Sequence, residues 1–154
     1  MYQETIEKCA AVAARIKNTS ANNPLSFWIG SLMAGAYVGL GIILIFTLGN
    51  LVDPAIRPLV MGATFGIALT LVIIAGAELY TGHTMFLTFG VKTGKLNSTQ
   101  AVGILAQSWT GNLLGSIVVA YLFYLGGGGQ ILPVDGSLVH KVALAKTAAP
   151  ALAL

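Results

Sequence analysis

From Leu25 to Leu48 the chain carries no charged residue. At 1.5 Å per residue this run makes a helix of about 36 Å, enough to cross a bilayer with some tilt. A second run extends from Leu59 to Val91, and Glu78 and His83 are its only acidic or basic side chains. As one helix it would be about 50 Å long, too long for a single straight span. The surplus, with Gly76 and Gly82 around Glu78, predicts a span over residues 59–91 that is interrupted at Glu78–His83. A third run, 101–125, is apolar but holds Gln107, Ser108, Thr110 and Asn112, which should face protein or a wet cavity rather than lipid. Upstream, Ile6, Cys9, Ala10, Ala13 and Ile16 fall at helical spacing among charged residues, predicting an amphipathic helix over 2–19 that lies along the cytoplasmic interface. Asn22-Asn23-Pro24 reads as a turn into a helix start. Gly126 to Gly129 ends the third span, and residues 138–154 restart an apolar, Ala-rich pattern that reads as the beginning of a fourth. The fold class expected is an all-α integral membrane protein, a single membrane domain over residues 1–154 that reads as the front portion of a longer protein.

Composition agrees with the lipid bilayer as the partner. The chain is 56% hydrophobic and only 8% charged, where a soluble domain has about 25% charged residues. The formal charge of +3 is spread over separate short segments, which is not the footprint of a nucleic-acid binder. Lys8, Arg15, Lys17, Lys92 and Lys95 fall on one side of the spans, against Arg57, Lys141 and Lys146 on the other, so the N-terminus is expected in the cytoplasm. The single cysteine, Cys9, excludes an intramolecular disulfide and reads as a free surface thiol. No phosphate loop, dinucleotide fingerprint or nucleophile motif is present, so no enzyme and no cofactor are expected. No acidic or thiol side chain has the spacing for a metal site with His83, and no metal is expected.

The candidate chemistry lies around the interruption. A carboxylate at membrane depth is costly. Glu78 either caps free N–H groups of the resumed helix or pairs with another span, or it relays protons. His83, five residues on, lies beyond helical pairing distance and either caps the loop or lines a vestibule. Phe65 and Leu69, one helical turn apart, either pack or form a bulky gate. Lys146 either snorkels to the interface or draws anions toward a pore mouth. The pairs Gly35/Gly39, Gly62/Gly66 and Gly111/Gly115 are small-xxx-small faces that let helices approach closely.

The segment Ala75-Gly76-Ala77-Glu78-Leu79-Tyr80-Thr81-Gly82-His83-Thr84 resembles the signature of the formate/nitrite transporter family. Asn22-Asn23-Pro24 with Ser31 to Gly39, and Gly111-Asn112-Leu113-Leu114-Gly115, are similar to that family's first and third spans. The resemblance covers essentially the whole chain, somewhat over half of a typical member. It implies six spans in an aquaporin-like fold of two inverted halves, a homopentamer with one pore per protomer, and a place in the bacterial cytoplasmic (inner) membrane. It implies transport of nitrite, a small monovalent anion, with formate as the alternative and protons as a possible co-substrate; a neutral-solute channel and a purely structural membrane protein are the rivals from other classes. Matched by motif, Glu78, Leu79, Tyr80, Thr81, Gly82 and His83 fall on the mobile loop, where Leu79 and Tyr80 constrict the pore, with Leu69 at the cytoplasmic slit and Phe65 at the periplasmic constriction. Gly111, Asn112 and Gly115 match the third-span packing motif, and Lys146 a basic residue that attracts anions. Tyr80 stands where Phe is frequent in the family and Gly82 where some members have Ser. The family's central histidine belongs to the fifth span, so neither His83 nor His140 takes its role.

Overall fold

The computed structural model describes residues 2–133 and 136–148. All regular structure among them is helical. Helix α1 (Gln3–Asn22) buries Ala10, Ala13 and Ile16, the stripe that its helical spacing presents on one face. It packs chiefly against α4. Asn23 ends it, and the Asn23 side chain accepts a hydrogen bond from the Ser26 N–H at 3.4 Å to start α2 (Pro24–Leu51), whose first position is the proline. Helix α3 (Arg57–Ala75) returns alongside α2. Helix α4 (Tyr80–Lys92) follows a short gap, and α5 (Ser98–Phe123) opens on a reciprocal cap between Asn97 and Gln100. Three stretches, Pro24–Leu51, Arg57–Ala75 and Ser98–Ile131, are long and apolar enough to cross a membrane.

The break in the second span lies earlier than the sequence predicts. Helix α3 stops at Ala75 because Gly76 takes the left-handed conformation, φ 67°. The Gly76 N–H bonds to the Ile73 carbonyl at 3.2 Å and the Ala77 N–H to the Val72 carbonyl at 3.0 Å, the paired bonds of a glycine-terminated helix. The gap is Gly76–Leu79, so Gly82 and His83 belong to the first turn of α4 rather than to the loop. Gly82 has no positive φ that would make it a breaker.

The third span is interrupted in its glycine run: beyond Phe123 the backbone kinks at Gly127, whose φ of 88° is not helical, and the short α6 (Gly129–Ile131) follows. Helix α7 (Leu138–Ala148) rests on the end of α2, where the Leu138 N–H lies 3.3 Å from Asn50 Oδ1. The remainder of the expected fourth-span start, 149–154, is outside the described residues.

The core brings α1, α2, α4 and α5 together through Ala13, Ile16, Phe27, Leu87, Leu96, Ala101 and Ile104. Where α2 crosses α5 the backbones nearly touch. A Cβ on Gly35 would collide with the backbone of Asn112, and one on Gly115 with the backbone of Leu32. Helix α3 meets α2 less intimately, with Gly41 against Ala68. Gly62 and Gly66, by contrast, have none of the described residues within 4 Å of where a Cβ would stand, so they mediate no packing among the described residues.

Candidate functional site

The gap Gly76–Leu79 exposes backbone groups that an unbroken helix would satisfy, and in an apolar setting each needs a partner. One side chain partners two of the groups at the gap's downstream edge, the Glu78 carbonyl and the Tyr80 N–H. Asn112, on α5 between Gly111 and Gly115, donates from Nδ2 to the Ser31 carbonyl at 2.9 Å and to the Glu78 carbonyl at 3.0 Å. Its Oδ1 accepts the Tyr80 N–H at 2.9 Å. Both N–H donors and the carbonyl oxygen of this amide are thereby engaged, three of its four possible bonds, and three elements are tied at one point: α2, the gap and the start of α4. The Glu78 N–H completes the attachment by donating to the Gly30 carbonyl at 3.1 Å. Sequence reasoning assigned Asn112 to helix packing. The available signal was a polar amide set between two small residues, which lets it reach the backbone opposite.

The close contact of α2 with α5 makes this reach possible. Gly111 leaves no room for a Cβ because Ser31 lies against it, and Ser31 is fully buried with its hydroxyl turned back to the Phe27 carbonyl at 2.8 Å. The other polar residues of the third span are also engaged. Gln107 accepts the Ser20 hydroxyl at 2.7 Å, Ser108 bonds to the Leu105 carbonyl and Thr110 to the Ala106 carbonyl.

Hollows flank the gap on two sides. One, of 520 Å³, is bordered by Leu69, Glu78, Leu79, Thr81, Gly82 and His83, with Arg15 and Ile16 of α1 at its edge. The other, of 290 Å³, is bordered by Tyr80, Trp109 and Asn112, and shares Leu79 and Thr81 with the first. Leu79 and Thr81 therefore stand between the two spaces. Helix α4 points its N-terminus here. The first N–H groups of a helix have no intrahelical acceptor, and among the described residues only the Tyr80 N–H finds one, in Asn112. Thr81 and Gly82 follow it along the first hollow. Such a terminus is electropositive and suits a small anion.

Glu78 and His83 come together in a way their spacing did not suggest. His83 Nε2 lies 2.8 Å from Glu78 Oε2. Five residues apart, they would miss each other on one continuous helix. Because the chain is extended at Leu79 (φ −88°, ψ 125°), Glu78 folds back over the first turn of α4.

The remaining expected site residues are more dispersed. Leu69 is half exposed and borders the first hollow. Phe65, one turn earlier on α3, is half-buried and does not line that hollow. Lys146 lies exposed in the last turn of α7 and is not brought to the gap. Gly39 faces Val119 of α5 at ordinary contact distance. Among the described residues no group of histidine, cysteine and carboxylate side chains could hold a metal ion.

Comparison with known proteins adds a family to this geometry. The sequence profile of the family described as formate/nitrite transporter matches residues 3–154. The nitrite transporter NirC of Escherichia coli (strain K12) is 71% identical over 154 residues, all of this chain and 57% of that protein. NirC of Salmonella typhimurium has the same identity and coverage. A probable formate transporter of Methanothermobacter thermautotrophicus is 30% identical over 151 residues, 95% of this chain and 53% of its own length. Among solved structures, an "FNT family ion channel" superimposes with a TM-score of 0.91 at 71% identity, covering 97% of this chain and 59% of that one. The chain thus spans little more than half the length of these relatives.

Proposed function

Since the chain belongs to the formate/nitrite transporter family, we propose that it forms part of a pore carrying nitrite across the bacterial cytoplasmic membrane. The observation that carries this reading is the gap at Gly76–Leu79, held open by Asn112 with the α4 N-terminus turned toward a hollow. Helix packing alone does not require such a gap. An anion does, because it must replace its hydration shell with backbone N–H groups and hydroxyls as it enters an apolar passage. The 71% identity to NirC supports nitrite over formate as cargo.

In this reading Leu79 and Thr81 form the mobile divider between the two hollows, with Tyr80 beside it. Leu69 narrows the passage on the side of α1, and Phe65 narrows it on the opposite side. Lys146 raises the local anion concentration rather than touching the path. The N-terminus lies in the cytoplasm. Five protomers assemble with a separate conduit in each. The open face of α3 at Gly62 and Gly66 is where a second, inverted half supplies the facing wall of the conduit, in an aquaporin-like arrangement. The charge on the cargo is balanced within the protein by the helix terminus, and protons accompany it as a co-substrate.

Flux of nitrite, formate, nitrate or glycerol into proteoliposomes tests this. Nitrite is expected to move fastest, formate next, and glycerol not at all. Passage of glycerol without either anion would overturn the reading in favour of a neutral-solute channel. Leu69→Ala is expected to widen the passage and admit larger anions. Unchanged selectivity with lower stability would return Leu69 to plain packing, with the cavity cost of a few kcal/mol that such truncations carry. Native mass measurement is expected to give five copies.

A further inference from the structure

Glu78 and His83 do more at the gap than hold backbone. The imidazole of His83 is 4% exposed and stacks on Phe27, with ring centroids 5.7 Å apart. Its Nε2 lies 2.8 Å from Glu78 Oε2, where an ionised carboxylate can only accept, while Nδ1 is buried without a partner among the described residues. Among the described residues the bond to Glu78 is therefore the ring's sole polar side-chain contact. Glu78 lies against Gly30, where a Cβ would stand 2.9 Å from its Cγ, so the seat admits this side chain only because α2 has a glycine there. Both residues border the 520 Å³ hollow, and Arg15 at its α1 edge is the remaining charged side chain around it.

A negative charge beside an anion's route is an obstacle unless it is engaged. In a space of low polarity, two like charges a few ångströms apart repel far more strongly than in water. A free glutamate here would oppose the N-terminal field of α4, and a bonded one opposes it less. We propose that His83 is a positioning residue that acts on the anion through Glu78: it holds the carboxylate against Gly30 and offsets its charge, so that the α4 terminus dominates the field in the hollow. This rests on the reading of that hollow as the anion's path. It makes His83 a determinant of anion affinity rather than a gate or a proton relay.

The test compares His83→Phe, which keeps a ring against Phe27 but has no donor, with the double variant His83→Phe, Glu78→Gln, which also removes the charge. Nitrite flux is measured over a range of concentrations in proteoliposomes, and the thermal unfolding midpoint is measured in detergent. His83→Phe is expected to raise KM for nitrite about tenfold and leave maximal flux within about twofold, the pattern of lost binding rather than lost turnover. Adding Glu78→Gln is expected to bring KM back to within about threefold of the parent, because the offending charge is gone. The midpoint should fall by several degrees in the single variant and recover in part in the double, since a half-buried carboxylate left unpaired costs more than a neutral amide. His83→Gln, which retains a donor, should lie close to the parent. A double variant as poor as His83→Phe would overturn the proposal, as would a fall in maximal flux at unchanged KM. Where His83→Phe does not assemble, the double variant decides: recovered assembly supports the proposal and continued loss overturns it. A parent protein that carries neither nitrite nor formate ends the functional reading above, whereas the midpoints report the Glu78–His83 pairing without any substrate.

Discussion

The crossing of α2 with α5 and the outer face of α3 share one sequence pattern and have opposite surroundings. Gly35/Gly39 and Gly111/Gly115 bring two backbones together so closely that a Cβ at Gly35 or Gly115 would overlap the opposite chain. Gly62/Gly66 has the same spacing and meets none of the described residues. Small residues one turn apart thus report that a helix can be approached, not what approaches it. At the first crossing the closeness has a further consequence, because Asn112 between Gly111 and Gly115 reaches the gap only when α5 lies this near α2. The contact that joins the helices also shapes the site.

The largest expected effect therefore belongs to Gly115→Val. The new side chain would meet the backbone of Leu32, which has no rotamer to change. Overpacking commonly costs 1–3 kcal/mol, and with backbone on the far side the cost is expected to exceed about 3 kcal/mol. The measurement is the unfolding midpoint in detergent together with the yield of folded protein. A variant as stable as the parent would mean that α2 and α5 slide apart readily, and the contrast with α3 would vanish.

Next in size is Asn112→Ala, which leaves the helix crossing intact and removes only the reach. It strands the Ser31 and Glu78 carbonyls and the Tyr80 N–H. Stranded buried polar groups cost about 1–3 kcal/mol each, less where water enters, so a loss on the order of 2–4 kcal/mol is expected. Faster hydrogen exchange should be confined to Ala77–Thr81. Nitrite flux should fall more than stability alone explains, because Leu79 and Thr81 lose their placement between the hollows. Exchange that rises evenly over the whole chain would show that Asn112 supports the crossing rather than the gap.

These two residues also mark how far the sequence could be read. The apolar runs and their lengths announced three spans and a surplus in the second, because periodicity and length are local properties of the chain. Gly76 was legible as a breaker, and its left-handed φ ends α3 as glycine's freedom allows. Gly82 was not legible as a helical residue, since a glycine near a break looks the same whether it makes the break or follows it. The bond from Glu78 to His83 was hidden because a spacing of five fails on a continuous helix and succeeds only once Leu79 is extended. The triple role of Asn112 was hidden for a related reason: two of its partners, Ser31 and Glu78, lie 81 and 34 positions away in the chain. What stayed unread in each case was a contact that exists only after the helices have docked.

The smallest expected effect on the chain itself is that of Gly62→Ala, and it tests the other side of the comparison. The added methyl has nothing within 4 Å to meet. In a helix interior alanine is preferred to glycine by about 1 kcal/mol, so the isolated protomer should be unchanged or slightly more stable. In the assembled transporter the outcome should differ. If a second wall packs against this face, the methyl meets that wall, and assembly or flux should suffer while the protomer does not. Parallel measurement of the protomer's unfolding midpoint and of native mass separates the two. A protomer destabilised as much by Gly62→Ala as by Gly115→Val would mean that α3 has a neighbour within this chain after all. A variant unchanged in both measurements would mean that the open face of α3 meets lipid, and that its paired glycines record no contact.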